Sequence, residues 1–206
     1  MFYASLLLCG MCVIMFLMQL AAGTDSFDLD VAKVMQEPWR VVTAIFAHAG
    51  VAHLLSNLFA LALFGIILEA RIGSWRTLWL FLISGICINI IVAAFSIYDR
   101  SLGASGAIFA LLGALVILRP RLAVWVAGMP MPMYLTGVVW ALQDTLGVFV
   151  PSGTANGAHL LGLGIGLVLG LVWHKQYGDR PERKEKRKGK DSLDHALDEW
   201  EEQHLR

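Results

Sequence analysis

Six apolar stretches, almost free of charge, constrain this chain more than any other feature; they lie at about residues 3–22, 51–70, 75–97, 104–118, 134–150 and 158–173. A backbone carried into hydrocarbon must satisfy its N–H and C=O groups within the protein, so only helices and closed barrels span. A spanning helix needs roughly 20 apolar residues and a barrel strand about half as many, so stretches of this length read as helices. With 57% hydrophobic and 16% charged residues and a mean hydropathy of +0.65, the chain is far more apolar than a soluble domain. The fold class expected is therefore all-α, a polytopic membrane protein with a six-transmembrane-helix bundle. The first stretch has no basic region before it and is long enough to span, so it reads as a helix and not as a signal peptide.

Charge asymmetry gives the orientation. Lys and Arg accumulate in cytoplasmic loops, and here Arg71 and Arg76, Arg119 and Arg121, and the run from Lys175 to Lys190 fall on one side by helix parity. The opposite loops hold Lys33, Arg40 and Arg100 among five acidic residues. The expectation is a multi-pass protein of the plasma (inner) membrane with both termini cytoplasmic. Residues 1–177 form the six-helix membrane domain, and 178–206 a charged cytoplasmic tail.

The fourth and sixth stretches are short. At 1.5 Å per residue they reach about 22 to 24 Å through a core of roughly 30 Å, so the preceding segments at 98–103 and 151–157 are expected to dip into the membrane. Irregular backbone at that depth needs shelter from protein or a water-filled cavity, here one open to the outer side. Ser105, His159, His53, Asn57 and His48 fall at that level, and intramembrane polar residues are functional candidates by default. Gly162, Gly166 and Gly170 in the sixth helix, and Gly106 and Ala110 in the fourth, are spaced to let two backbones approach closely. That approach is what a Ser105–His159 hydrogen bond requires. A serine at a helix start, where N–H groups lack intrahelical acceptors, combines a nucleophile, a general base and oxyanion donors, with Asn57 and His53 as further donors.

These residues resemble the rhomboid intramembrane serine proteases. "GASGAIFA" (103–110) is similar to that family's nucleophile segment, "AHLLGLGIG" (158–166) to its base segment, and "HAGVAHLLSN" (48–57) to its H-x-x-x-x-H-x-x-x-N element. "PWR" (38–40) and "EARIG" (69–73) resemble its first-loop motif and the usual end of its second helix. The resemblance implies cleavage in or near transmembrane segments of protein substrates by a Ser-His dyad without a third acidic member. Ser105 would be the nucleophile and His159 the base, with His53, Asn57 and the Ser105 N–H as the oxyanion hole. Arg40 would brace the first loop, the fifth helix would gate substrate entry, and Phe109, where tyrosine is frequent, would stack beneath His159. Gly103 and Gly106 would permit tight entry and packing. Neither cofactor nor metal is expected; Cys9 and Cys12 form a C-x-x-C without the second pair or soluble redox fold that would give it meaning.

Other features read more plainly. Asp144 in the fifth helix is expected to reach cavity water near the outer end, with an ion or proton site as the alternative. "GMPMPM" (128–133) is expected to be a turn, because proline does not sustain a helix interior. The basic run at 180–190 suits anionic lipid, and residues 191–205 have the spacing of a short amphipathic helix. No nucleic-acid motif is present. The alternative function is a non-catalytic rhomboid-like binder of membrane proteins, or a small transporter using Asp144.

Overall fold

The computed structural model describes residues 3–126, 128–150, 154–179 and 199–200. Among these, the helices are α1 (Ala4–Ala22), α2 (Arg40–Phe46), α3 (Val51–Ile72), α4 (Ser74–Phe95), α5 (Ser105–Leu118), α6 (Met133–Phe149) and α7 (Asn156–Tyr177). Two antiparallel ribbons accompany them: β1 (Leu29–Asp30) with β2 (Arg100–Ser101), and β3 (Ala123–Val126) with β4 (Met129–Pro132). Four helices, α1, α3, α4 and α7, are long and apolar enough to cross a membrane. With 14 and 17 residues, α5 and α6 fall short of that length.

The centre of the bundle is α5. Every residue from Gly106 to Leu115 is buried, as expected of a helix apolar on all sides. The surrounding helices turn large apolar side chains outward, among them Leu20, Phe59, Phe95, Leu142 and Leu171. So broad an apolar exterior is suited to lipid and not to water.

The tightest seam joins α5 to α7. A Cβ added to Gly162 would lie 2.0 Å from the Gly106 carbonyl oxygen, one on Gly166 2.1 Å from that of Ala110, and one on Gly113 2.4 Å from that of Leu163. The two backbones touch directly, and only glycine fits. At the opposite end from Ser105, Glu69 accepts from the Ala4 and Ser5 N–H groups and the Ser5 and Ser74 hydroxyls. It thereby ties α3 to the starts of α1 and α4. Arg71 donates to the Tyr177 and Gly178 carbonyls at the end of α7.

The helical bundle is as expected, with the two short ribbons added to it, and three expectations change. The last helix is not short: it has 22 residues, beginning at Asn156 within a segment expected to be irregular and continuing through polar residues beyond Trp173. Apolar counting missed both ends because a helix continues wherever its backbone bonds continue, whatever the side chains. The "GMPMPM" segment is largely strand β4 and not a turn. Its prolines oppose Trp125 and Ala123, alternate positions that leave the intervening methionine N–H groups to pair, and Met133 N–H donates to the Leu122 carbonyl at 2.9 Å. The helix α2 had no counterpart in the apolar pattern. The basic run, the tail helix apart from Glu199 and Trp200, and residues 151–153 of the last connection lie outside the described residues.

The seam predicts unequal responses from two glycines on one helix. Gly166→Ala should destabilise by about 1 to 3 kcal/mol through overpacking. Gly164→Ala, whose Cβ meets nothing within 4 Å, should be neutral or stabilising by about 0.5 to 1 kcal/mol. Thermal unfolding in detergent measures both, and equal shifts in Tm would contradict the seam.

Candidate active site

Ser105 is the first residue of α5 and His159 the fourth of α7, and the glycine seam holds these two helix starts together. His159 Nε2 lies 2.8 Å from Ser105 Oγ. On the other side of the ring, Nδ1 lies 2.9 Å from Asp144 Oδ1. A carboxylate can only accept, so Nδ1 carries the proton and Nε2 is left to accept from the Ser105 hydroxyl. The ring lies flat on Phe109, with centroids 4.4 Å apart and planes 10° from parallel. Phe109 in turn meets Trp140 at 5.5 Å, and Trp140 meets Phe64 edge-on at 5.5 Å. An aromatic chain from α3 through α6 and α5 thus floors the site and restrains the imidazole.

A cavity of about 1100 Å³ opens over this floor, lined among others by His53, Asn57, Ser105, Phe109, Trp140 and His159. His53 Nδ1 accepts from the Ala49 N–H at 3.4 Å, which leaves the proton of the neutral ring on Nε2, the nitrogen beside Gly103. Gly103 is in the left-handed region at φ 121°, and a Cβ there would fall 2.9 Å from the His53 ring. Glycine is required at this position both for conformation and for space. The Asn57 amide donates to the His53 carbonyl at 2.9 Å, which occupies one of its two N–H groups. His48 does not line the cavity. It is buried behind His53, ring edge to face at 5.1 Å, with Nδ1 on the Phe46 carbonyl, and the Gln19 side chain brackets its backbone by donating to the His48 carbonyl and accepting from its N–H.

The polypeptide around the site is irregular, and one ionic cluster supports it. Arg40 is buried and donates to the Asp25 and Asp28 carbonyls, to Asp28 Oδ1 and to Glu37. Arg100 on β2 donates to Asp28 and Asp25, and those bonds, first to Asp28, raise its guanidinium above the ordinary arginine value. Beyond β2 the chain reaches Gly103, whose N–H donates to the Ala44 carbonyl of α2 at 2.8 Å. The cluster therefore sets the path of the strand that delivers Ser105.

Asp144 departs from expectation. It lines a smaller cavity together with His159, but it is 4% exposed and engaged with His159, whereas the sequence suggests only a side chain reaching cavity water. Nothing local in the sequence signals the pair, since the partners sit on different helices.

Residues 35–176 match the family model described as Rhomboid domain. The chain belongs to the rhomboid family. It is 36% identical over 146 residues to RHOMBOID-like protein 6, mitochondrial, from Arabidopsis thaliana, which covers 70% of this chain and 47% of that one. It is 35% identical over 161 residues to Rhomboid protease GluP from Bacillus subtilis (strain 168), covering 72% and 30%. Rhomboid-like protease 5 from Toxoplasma gondii is 33% identical over 146 residues, covering 70% and 17%. The chain thus spans less than half the length of these relatives. Its Rhomboid domain and its long apolar helices make this an integral, multi-pass membrane protein.

Because Arg40 serves three loop oxygens and Glu37 from a buried position, Arg40→Met should destabilise by about 3 to 5 kcal/mol, the usual result of stranding one partner of a buried pair. Arg40→Lys should recover only part, since an ammonium lacks the planar fork. Unfolding in detergent is the measurement, and a Met variant as stable as wild type would remove the cluster from its supporting role.

Proposed function

We propose that this rhomboid protein is a serine endopeptidase that hydrolyses peptide bonds in or beside the transmembrane segments of other membrane proteins. The observation that carries this is the 2.8 Å contact between Ser105 Oγ and His159 Nε2 at the wall of the cavity. Ser105 Oγ attacks the scissile carbonyl carbon as His159 Nε2 takes its proton. The carbonyl oxygen becomes an oxyanion facing the Ser105 N–H, His53 Nε2–H and the free Asn57 N–H. Collapse breaks the C–N bond, and the imidazolium returns its proton to the departing amine. Water then attacks the acyl-serine with His159 again as base, releasing the acid and restoring Ser105. No cofactor enters these steps.

The family membership and the position of the cavity at one end of the helices support the rest of the reading. Six helices, α1 and α3 to α7, form the membrane domain of residues 1–177, and the tail at 178–206 is cytoplasmic with the N-terminus. At about 21 Å for its 14 residues, α5 leaves its first residue below the outer surface, where water enters the cavity. Substrate enters past α6, whose outer half turns Leu146 and Phe149 outward. The protein resides in the plasma membrane, and its basic tail rests on anionic lipid. A transporter would need Asp144 for its ion; the engagement of that carboxylate with His159 favours the peptidase.

In liposomes containing a transmembrane substrate, Ser105→Ala and His159→Ala should abolish cleavage while folding is retained. Asn57→Ala should lower kcat by about 10² to 10³, the effect of losing one oxyanion donor. Cleavage that persists in Ser105→Ala would overturn the assignment.

A further inference from the structure

The helix α6 meets the bundle along one stripe. Gly137 lies against Val116, Trp140 against Phe109 and Phe64, Asp144 on His159, and Gly147 against Asn156. The spacing of three, four and three residues keeps these four on one face, and Asp144 is its only charged member. The remaining faces carry Leu142, Leu146 and Phe149 outward. An acidic side chain inside an otherwise uncharged span is costly unless paired, and the pair it makes is with the ring nitrogen opposite the one that faces Ser105.

We propose that Asp144 is a positioning residue that orients His159, so that the site operates as a Ser105–His159–Asp144 triad assembled only when α6 is seated. This rests on the peptidase reading above and extends it to a third member contributed by a different helix. Three effects follow from the geometry. By accepting from Nδ1–H, the carboxylate selects the tautomer in which Nε2 is a base. Together with the flat contact on Phe109, it leaves the imidazole no freedom to rotate away from Ser105. When Nε2 takes the serine proton, the fixed negative charge 2.9 Å from Nδ1 stabilises the imidazolium, in surroundings where water does little to screen it. An amide in place of Asp144 would have the same size but could present its N–H₂ to Nδ1, selecting the wrong tautomer, and would carry no charge. In a serine protease triad with its geometry preserved, that exchange lowers kcat by about 10⁴.

The test compares wild type, Ser105→Ala and Asp144→Asn in liposomes. Wild-type cleavage that is absent in Ser105→Ala establishes the peptidase reading independently of Asp144. Given that, Asp144→Asn is expected to lower kcat by about 10² to 10⁴ with KM within about twofold of wild type. Labelling of Ser105 by a fluorophosphonate, counted per folded molecule from the monomeric fraction, is expected to slow to a similar degree. That second measurement needs no substrate docking and tolerates partial unfolding. Asp144→Asn that cleaves and labels within twofold of wild type overturns the proposal while leaving the peptidase intact. So does a loss confined to KM, or one that vanishes when counted per folded molecule, since either makes Asp144 a docking or packing residue only.

Discussion

The direct contact of the α5 and α7 backbones is the constraint on which the rest depends. In a bilayer, helices gain little from leaving lipid for each other, so association rests on close packing and polar contacts. Here packing is carried to the limit at which the Gly106 and Ala110 carbonyls occupy the space of absent side chains on Gly162 and Gly166. That separation sets the 2.8 Å distance between His159 and Ser105, because each side chain projects from the end of one of the two joined helices. A single methyl in the seam would push them apart before any change at the residues themselves. The burial of α5 on every side follows from the same contact, which leaves its other faces for α3, α4 and α6.

A second requirement arises where the helices stop. The chain entering α5 and α3 is irregular, and unpaired backbone groups in apolar surroundings are expensive. The structure meets this with side chains that act as backbone partners: Arg40 for the Asp25 and Asp28 carbonyls, Gln19 for both polar groups of the His48 peptide, Asn89 for the Val41 carbonyl. Each element of the site is thereby fixed from behind. His53 is backed by His48, His159 by Phe109, and Gly103 by Ala44. At the opposite end, Glu69 and Arg71 perform the same service for the termini of α1 and α7.

Much of this was legible in the sequence, and the limits have physical causes. Apolar runs located α1, α3, α4, α5 and α6 to within a few residues because a helix in a bilayer is apolar both where it faces lipid and, like α5, where it is buried among other helices. The glycine spacing in "AHLLGLGIG" pointed to the seam because close approach admits few residue types. The helix α2 and the β1–β2 ribbon were invisible: seven and two-residue elements carry no usable period, and their stability comes from Arg40, Asp28 and Arg100, which are brought together only by folding. The start of α7 was misplaced because Asn156 and Gly157 favour other conformations alone, whereas here Tyr98 accepts the Gly157 N–H and Gly147 makes room for Asn156. Ser105 and His159 could be named from local motifs; Asp144 stood out as an acidic residue in an apolar run, but its pairing with His159 could not be read, since the partner lies on another helix beyond an intervening connection.

That last case bears on how such a site is controlled. The seam between α5 and α7 is rigid, made of backbone on backbone, and keeps Ser105 and His159 together whatever α6 does. The contact of α6 is of another kind: Met133 and Thr136 are buried at its start, and farther along it is held by two glycines, one tryptophan and one hydrogen-bonded carboxylate. Displacing its outer half to admit a substrate segment would separate Asp144 from His159 and leave the buried carboxylate without its partner, an unfavourable state that drives α6 back. On the proposed reading, entry and chemistry then require different arrangements of the bundle. Under that reading Ser105 and His159 stay paired throughout, and the proposed third group rejoins them only when α6 is seated again.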